Sequence, residues 1–267
     1  MLRDITLGQY FPGHSVVHRL DPRLKMVLLF AYITALLLCK HVLSYGLMLA
    51  FLITAVAVSR LNARVMIRGM RPMVFIIIFT AFLNIFYTPG EPIVSFWILS
   101  ISAEGLWRAL FMAMRLLMLI SGTFLLTYTT SPIMLTDALS RLLSPLAKIR
   151  VPVHELAMMM TIALRFIPTI IEETDKIMSA QKARGADFET GNLFRRAKAL
   201  IPLLVPLFVG AFRRAEDLAV AMECRCYHGG AGRTRMRVLH MTPEDMLVGL
   251  LCALIFGGAV ALGRFGL

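Results

Sequence analysis

Two short motifs in this sequence contain residue types that could do chemistry, and each lacks a partner that its chemistry requires. His154-Glu155 begins like a zinc-protease helix, but Met158 occupies the position of the second histidine ligand. Cys224-x-Cys226 could bind a metal ion, but no second pair of ligands lies near it in the sequence. We therefore expect no catalytic residue, no metal site and no cofactor.

A phosphate-binding loop for a nucleotide is also excluded by its motif. A phosphate-binding loop requires Gly-x-x-x-x-Gly-Lys-[Ser/Thr], and the sequence contains no Gly-Lys pair at all. We therefore predict that the chain is not an enzyme and does not hydrolyse ATP.

Two arginines between small residues have the form of docking groups, in the triplets Ala183-Arg184-Gly185 and Cys224-Arg225-Cys226. Small neighbours leave a guanidinium free to enter a groove in a partner, where it can bond carboxylates or carbonyls in pairs. An arginine near a helix C-terminus can also simply complement the helix dipole. The duplication favours docking at two similar sockets.

The elements that carry these triplets belong to a membrane protein. The 267 residues are 58% hydrophobic and only 16% charged, with a mean hydropathy of +0.74. A spanning helix needs about 20 mostly apolar residues. We predict an all-α membrane protein with about five spans, built around Leu24–Cys39, His41–Ser59, Pro72–Gly90, Leu116–Pro132 and Met246–Gly263.

The positive charges orient these spans. The loop between the second and third spans contains four arginines and no acid: Arg60, Arg64, Arg68 and Arg71. The loop between the third and fourth contains two acids and one arginine. Because cationic loops favour the cytoplasmic side, we expect a cytoplasmic N-terminus, a cytoplasmic insert before the fifth span and an external C-terminus. The net charge of +12 then reflects membrane topology, and we expect no nucleic-acid partner.

The sequence of the insert, residues 131–242, predicts three helices, two of them long. They begin at Ser131–Pro132, at Val151–Pro152 and near Asn192, and the two long ones end at Gly185 and near Cys226. Each long helix is apolar in its first half and charged in its second. Arg165 interrupts one apolar half and two prolines the other, so we expect both helices to lie under the spans or at the membrane interface. The predicted regions are 1–130 with four spans, 131–242 with the coupling helices, and 243–267 with the last span.

The sequence resembles the T component of energy-coupling factor transporters over essentially its full length. Three stretches carry the resemblance. They are His18–Lys25, Arg165–Pro168 with Ala180–Gly185, and Arg214–Glu216 with Ala221–Tyr227. The opening Gly8–Gly13 is similar to the shared-module type, which serves several substrate-binding subunits. In this family the third residue of the second triplet is usually glycine, whereas here it is Cys226.

The resemblance implies a non-catalytic coupling subunit of an ATP-driven importer of a vitamin or other micronutrient. Its partners would be two ATPase subunits docked on the arginine triplets, a substrate-binding S component and the lipid of the inner membrane. Two alternatives are a stand-alone secondary transporter, which should show an internal hydropathy repeat, and a membrane-embedded enzyme. An enzyme should show paired acids or bases inside the spans, where only Arg115 and isolated hydroxyl residues occur. We expect Arg115 to pair with another span or to snorkel.

Overall fold

The computed structural model of the chain describes residues 10–39, 41–87, 92–96, 99–188, 192–230 and 240–265. It is predominantly helical, as predicted, and it adds one short hairpin that the sequence analysis does not anticipate. The helices are α1 (Val16–Arg19), α2 (Pro22–Leu38), α3 (Val42–Ser59), α4 (Ala63–Tyr87), α5 (Ala103–Thr129), α6 (Pro132–Leu142), α7 (Val153–Ala183), α8 (Leu193–Cys224) and α9 (Pro243–Phe265), with a 3₁₀ helix at Ser144–Ile149. The strands are β1 (Pro92–Phe96) and β2 (Leu99–Ser102), which pair antiparallel with Phe96 opposite Leu99.

Two of the membrane helices begin well before the apolar runs that predict them. α4 begins at Ala63 and passes through Pro72, and α5 begins at Ala103 and includes Arg115. A hydropathy run marks only the uncharged part of a helix, whereas backbone hydrogen bonding continues through charged residues. At α5 the true start is set by Ser102, whose side chain accepts a hydrogen bond from the Gly105 amide at 3.0 Å.

Within the described ranges, five helices are long and apolar enough to cross a membrane by length and composition: α3, α4, α5, α7 and α9. The number agrees with the prediction, but the set differs. The 17-residue α2 is not among them, and the 31-residue α7 is. The expectation that Arg165 removes α7 from the candidates is wrong as to length and composition, because the helix continues through Arg165 and Pro168.

The chain divides into two compact units. Residues 8–138 and 239–267 form the first, which we call the bundle unit, and residues 139–238 form most of the second, which we call the insert unit. In the bundle unit, α2 packs against α5 and α9, and α3 packs against α5 and α9. Its core contains three aromatic rings in mutual contact, those of Tyr32, Phe51 and Phe256, with centroids 4.9 to 6.0 Å apart.

Arg115 bonds to two other elements of the bundle unit. Its Nε donates to the Tyr45 hydroxyl at 2.7 Å, and its Nη2 donates to the Cys39 carbonyl at 3.1 Å. The guanidinium carbon also lies 5.6 Å from the centroid of the Tyr45 ring, within cation–π range. The expected pairing of Arg115 with another span is therefore confirmed, and this arginine has a structural role where α2 ends.

Candidate docking sites at two helix ends

The two long helices of the insert unit pack against each other around an ion pair. Arg214 of α8 pairs with Glu173 of α7, and both side chains are partly exposed, at 24% and 30%. Gly210 lies one turn before Arg214, where a Cβ atom would come within 2.9 Å of a Glu173 carboxylate oxygen. The lack of a side chain at Gly210 therefore allows the two helices to approach closely at this point.

A second contact fixes the relative direction of the two helices. His154, at the start of α7, lies against Gly230, which follows α8, and a Cβ atom at Gly230 would be 2.3 Å from His154 Cδ2. As α7 runs from His154 to Glu173, the partner segment therefore runs backwards from Gly230 to Gly210. The helices are antiparallel, and their C-terminal ends lie at opposite ends of the pair.

The two arginine triplets are placed equivalently with respect to the ion pair. Arg184 lies eleven positions after Glu173, and Arg225 lies eleven positions after Arg214. At about 1.5 Å per residue, each arginine lies roughly 16 Å along its helix from the ion pair. The insert unit therefore carries two arginines at matched distances on either side of one crossing point.

The first triplet closes α7 with a Schellman motif. Gly185 has φ +86°, in the left-handed region, and its amide donates to the Lys182 carbonyl at 3.0 Å. The Ala186 amide donates to the Gln181 carbonyl, also at 3.0 Å. These are the two hydrogen bonds that define the motif, and they make Arg184 the last residue before the left-handed turn.

The second triplet closes α8 in the same way, although its third residue is not glycine. Cys226 has φ +54°, and its amide donates to the Glu223 carbonyl at 2.8 Å. The Tyr227 amide donates to the Met222 carbonyl at 3.1 Å. Arg225 thus occupies the same position as Arg184, and the third residue of each triplet is the one that adopts the left-handed conformation.

Sequence reasoning identifies the small residues of both triplets but not this conformational requirement. The available signal is Gly185, a typical left-handed helix stop, and Cys226 hides the same signal in the second triplet. The left-handed turn therefore explains the glycine at position 185, whereas Cys226 adopts the same conformation without the freedom of glycine.

All six triplet residues are exposed, and both thiols are free: Ala183, Arg184, Gly185, Cys224, Arg225 and Cys226. Within the part of the chain that the structure describes, neither guanidinium has a hydrogen-bond or ion-pair partner. An exposed arginine at a helix end can bond a partner's carboxylates or carbonyls without first breaking an internal contact. The same described residues contain no group of three or more His, Cys, Asp or Glu side chains that could hold a metal ion.

The fold and these helix ends together define a polytopic helical membrane protein with an exposed charged helix pair. A family model described as "Cobalt transport protein", CbiQ, matches residues 13–236. The chain therefore belongs to the CbiQ/EcfT family of transporter transmembrane components, as its resemblance predicts.

Three relatives that align with nearly the whole chain have the same name. The proteins from Thermosediminibacter oceani, Clostridium kluyveri and Bacillus subtilis are each called energy-coupling factor transporter transmembrane protein EcfT. The first is 52% identical over 264 residues, covering 99% of both chains. The second is 52% identical over 257 residues, covering 96% of this chain and 95% of the relative, and the third is 47% identical over 261 residues, covering 96% and 98%.

Proposed function

We propose that this chain is the coupling subunit of an ATP-driven importer of a vitamin or other micronutrient. In this proposal Arg184 and Arg225 dock two ATPase subunits, and the membrane part holds a substrate-binding S component. The observation that carries it is the matched pair of helix ends: two exposed arginines in the same backbone motif, eleven residues beyond the two partners of one ion pair.

The antiparallel arrangement supports two separate docking events. Because the two helix ends lie at opposite ends of one helix pair, a single ATPase subunit would not engage both in the same way. Two ATPase subunits that approach and separate during ATP hydrolysis would move the two ends relative to each other. The helix pair, fastened at Glu173–Arg214, would convert that movement into a tilt or rotation.

The family and the sequence support the remaining parts of the assignment. The transported compound would be bound by the S component, and ATP by the two ATPase subunits, as the missing phosphate loop requires. We place the chain in the inner membrane with a cytoplasmic N-terminus. In this proposal the 17-residue α2, close to the length of about 20 residues that a span needs, is the first of four spans in region 1–130. Region 131–242, including α7, would be the cytosolic coupling region, and 243–267 the last span.

The test is co-purification and uptake with single and double arginine variants. A buried charged contact at an interface is typically worth about 2–5 kcal/mol, so Arg184→Ala and Arg225→Ala should each weaken ATPase association at least 30-fold and lower uptake. Lys176→Ala and Arg213→Ala are matched controls, because each removes an exposed cation from the same two helices outside the triplets. Wild-type uptake by the double arginine variant would disprove the docking assignment.

An uptake assay on this chain alone distinguishes the proposal from a stand-alone secondary transporter. The coupling-subunit proposal expects no uptake by proteoliposomes that contain this chain without ATPase subunits. Uptake driven by an ion gradient under those conditions would favour the alternative.

A further inference from the structure

Three helix ends meet at one face of the bundle unit, where the chain leaves for the insert and returns from it. They are the start of α2, the end of α5 and the start of α9. The last carbonyls and first amides of a helix have no partner within that helix, so each such end needs acceptors or donors from elsewhere. In this structure residues 11–25 supply several of these donors and acceptors.

Lys25 bonds to the end of α5, which leads through α6 into the insert unit. Its Nζ donates to the Thr129 carbonyl at 3.3 Å and to the Thr130 hydroxyl at 3.2 Å, and also to the His18 carbonyl at 3.2 Å. The side chain is buried, at 7% exposure, so water contributes little to these bonds. One residue earlier in α5, the Tyr128 carbonyl accepts from the Phe11 amide at 3.0 Å.

Asp21 and Asp245 fasten the start of α9, which is where the chain returns. Asp245 and Thr242 form a capping box: the Asp245 carboxylate accepts from the Thr242 amide and hydroxyl, both at 2.8 Å. The other oxygen of that carboxylate accepts from the Asp21 amide at 3.1 Å. Asp21 in turn caps α2 by accepting from the Arg23 amide at 2.8 Å, and both aspartates are at most 5% exposed.

We infer that Asp21, Lys25 and Asp245 form a clamp that holds both connections to the insert on the N-terminal end of α2. This inference rests on the proposed coupling function and adds to it the positioning residues through which movement of the insert reaches the membrane helices. Because Asp21, the N-cap of α2, and Lys25, in the first turn of α2, bond the two connections, the connections should shift together. A displacement of the insert is passed to α2, α5 and α9 together.

The alternative is that these bonds only satisfy helix ends. A purely structural role predicts that breaking them lowers the amount of folded chain and every activity in proportion. A clamp predicts a change in one ratio, the number of substrate molecules imported per ATP hydrolysed, in complexes that are still assembled.

The first experiment measures that ratio in proteoliposomes that contain the complete transporter. Lys25→Met should keep the ATPase subunits bound and retain at least half of the ATP hydrolysis, while uptake falls at least tenfold. Arg19→Met, which removes an exposed cation six residues away, should leave both rates at the wild-type level. Equal losses of hydrolysis and uptake in Lys25→Met, or no change in either, would overturn the clamp. If Lys25→Met does not insert, Thr130→Val decides: the ratio should fall at least twofold, and an unchanged ratio refutes the inference.

The second experiment needs no partner and so separates this inference from the proposed function. Amide exchange is measured on the whole chain in lipid nanodiscs. Asp245→Ala should speed exchange of the peptides that contain the Asp21 and Thr242 amides at least tenfold, and Lys25→Met should speed exchange where α5 ends. Arg19→Met should change neither, and wild-type exchange rates in Asp245→Ala would contradict the clamp. If the ATPase subunits do not bind the wild-type chain, the proposed function is refuted. The amide-exchange measurement would still test the clamp, because it needs no partner.

Discussion

The left-handed residue that follows each docking arginine gives a prediction whose size can be worked out. Gly185 and Cys226 occupy equivalent positions, with φ +86° and +54°. A non-glycine residue in this region costs about 1–2 kcal/mol, whereas glycine costs about 0.5–1 kcal/mol more than alanine to order on folding. The difference favours glycine at either position by roughly 0.5–1 kcal/mol.

Two substitutions test this difference in free energy in opposite directions. Cys226→Gly should stabilise the last turn of α8, and Gly185→Ala should destabilise the last turn of α7. A Cβ atom added at Gly185 would meet no atom within 4 Å, so the second effect contains no steric contribution. It is a conformational cost alone, which makes the two variants comparable.

Amide exchange on the whole chain measures both effects. Since 1.4 kcal/mol corresponds to a factor of ten, the Cys226 and Tyr227 amides should exchange about two- to fivefold more slowly in Cys226→Gly. The Gly185 and Ala186 amides should exchange faster by a similar factor in Gly185→Ala. Cys226→Ser is the control for loss of the thiol and should leave exchange near the wild-type rate.

Wild-type amide exchange in Cys226→Gly, together with strong destabilisation in Gly185→Ala, would contradict this prediction. The two ends would then not share one backbone motif, and the equivalence on which the docking proposal rests would be lost.

Three further predictions concern the same chain. The purified chain should neither bind nor hydrolyse ATP, and saturable binding of labelled ATP would contradict the missing phosphate loop. The topology can be tested with single cysteines introduced at His14, Glu244 and Arg264 in a chain without its native thiols. In intact cells the first two should be protected from an impermeant thiol reagent, and the third should be labelled. The reverse pattern would invert the proposed topology. Burial, followed by the charges of Lys25 and His14, lowers the pKa of His18 below its ordinary value of about 6.5 despite its hydrogen bond to the Phe11 carbonyl. The stability that His18 contributes should thus be present above pH 6.5 and decline as the pH falls below it; His18→Gln should remove this dependence of α1 amide exchange, and an unaltered profile would refute it.

The sequence predicts the helices well where one physical signal controls them. The apolar run His41–Ser59 corresponds to α3 at Val42–Ser59, because this helix contains no charged residue and so coincides with the run. The predicted third and fourth spans are too short, because α4 and α5 begin with charged turns that hydropathy does not detect. The hairpin β1–β2 is missed because a search for long apolar runs passes over two strands of five and four residues.

The candidate site is partly predictable for the same reason. The two triplets stand out as local patterns, and the stop at Gly185 follows from glycine's conformational freedom. The ion pair Glu173–Arg214 and the contact of Gly210 with Glu173 join residues some 40 positions apart, and no local pattern indicates such pairs. The clamp is further still from local sequence: Asp21 and Asp245 lie 224 positions apart. Asp21 caps α2, a role that an aspartate directly before a proline can indicate locally, whereas its bond to Asp245 requires the fold.

Equal geometry at the two helix ends does not make them equal in free energy. Arg184 stands before a glycine that adopts the left-handed turn without strain, whereas Arg225 stands before Cys226, which has to be held in it. In the free chain the end of α8 should therefore open more often than the end of α7, by about the same two- to fivefold factor. A partner that requires the closed turn must supply that ordering free energy on docking, so identical contacts at the two sockets would give weaker binding at Arg225. If two ATPase subunits dock as proposed, the end of α8 is the one that should dissociate first when the complex is diluted.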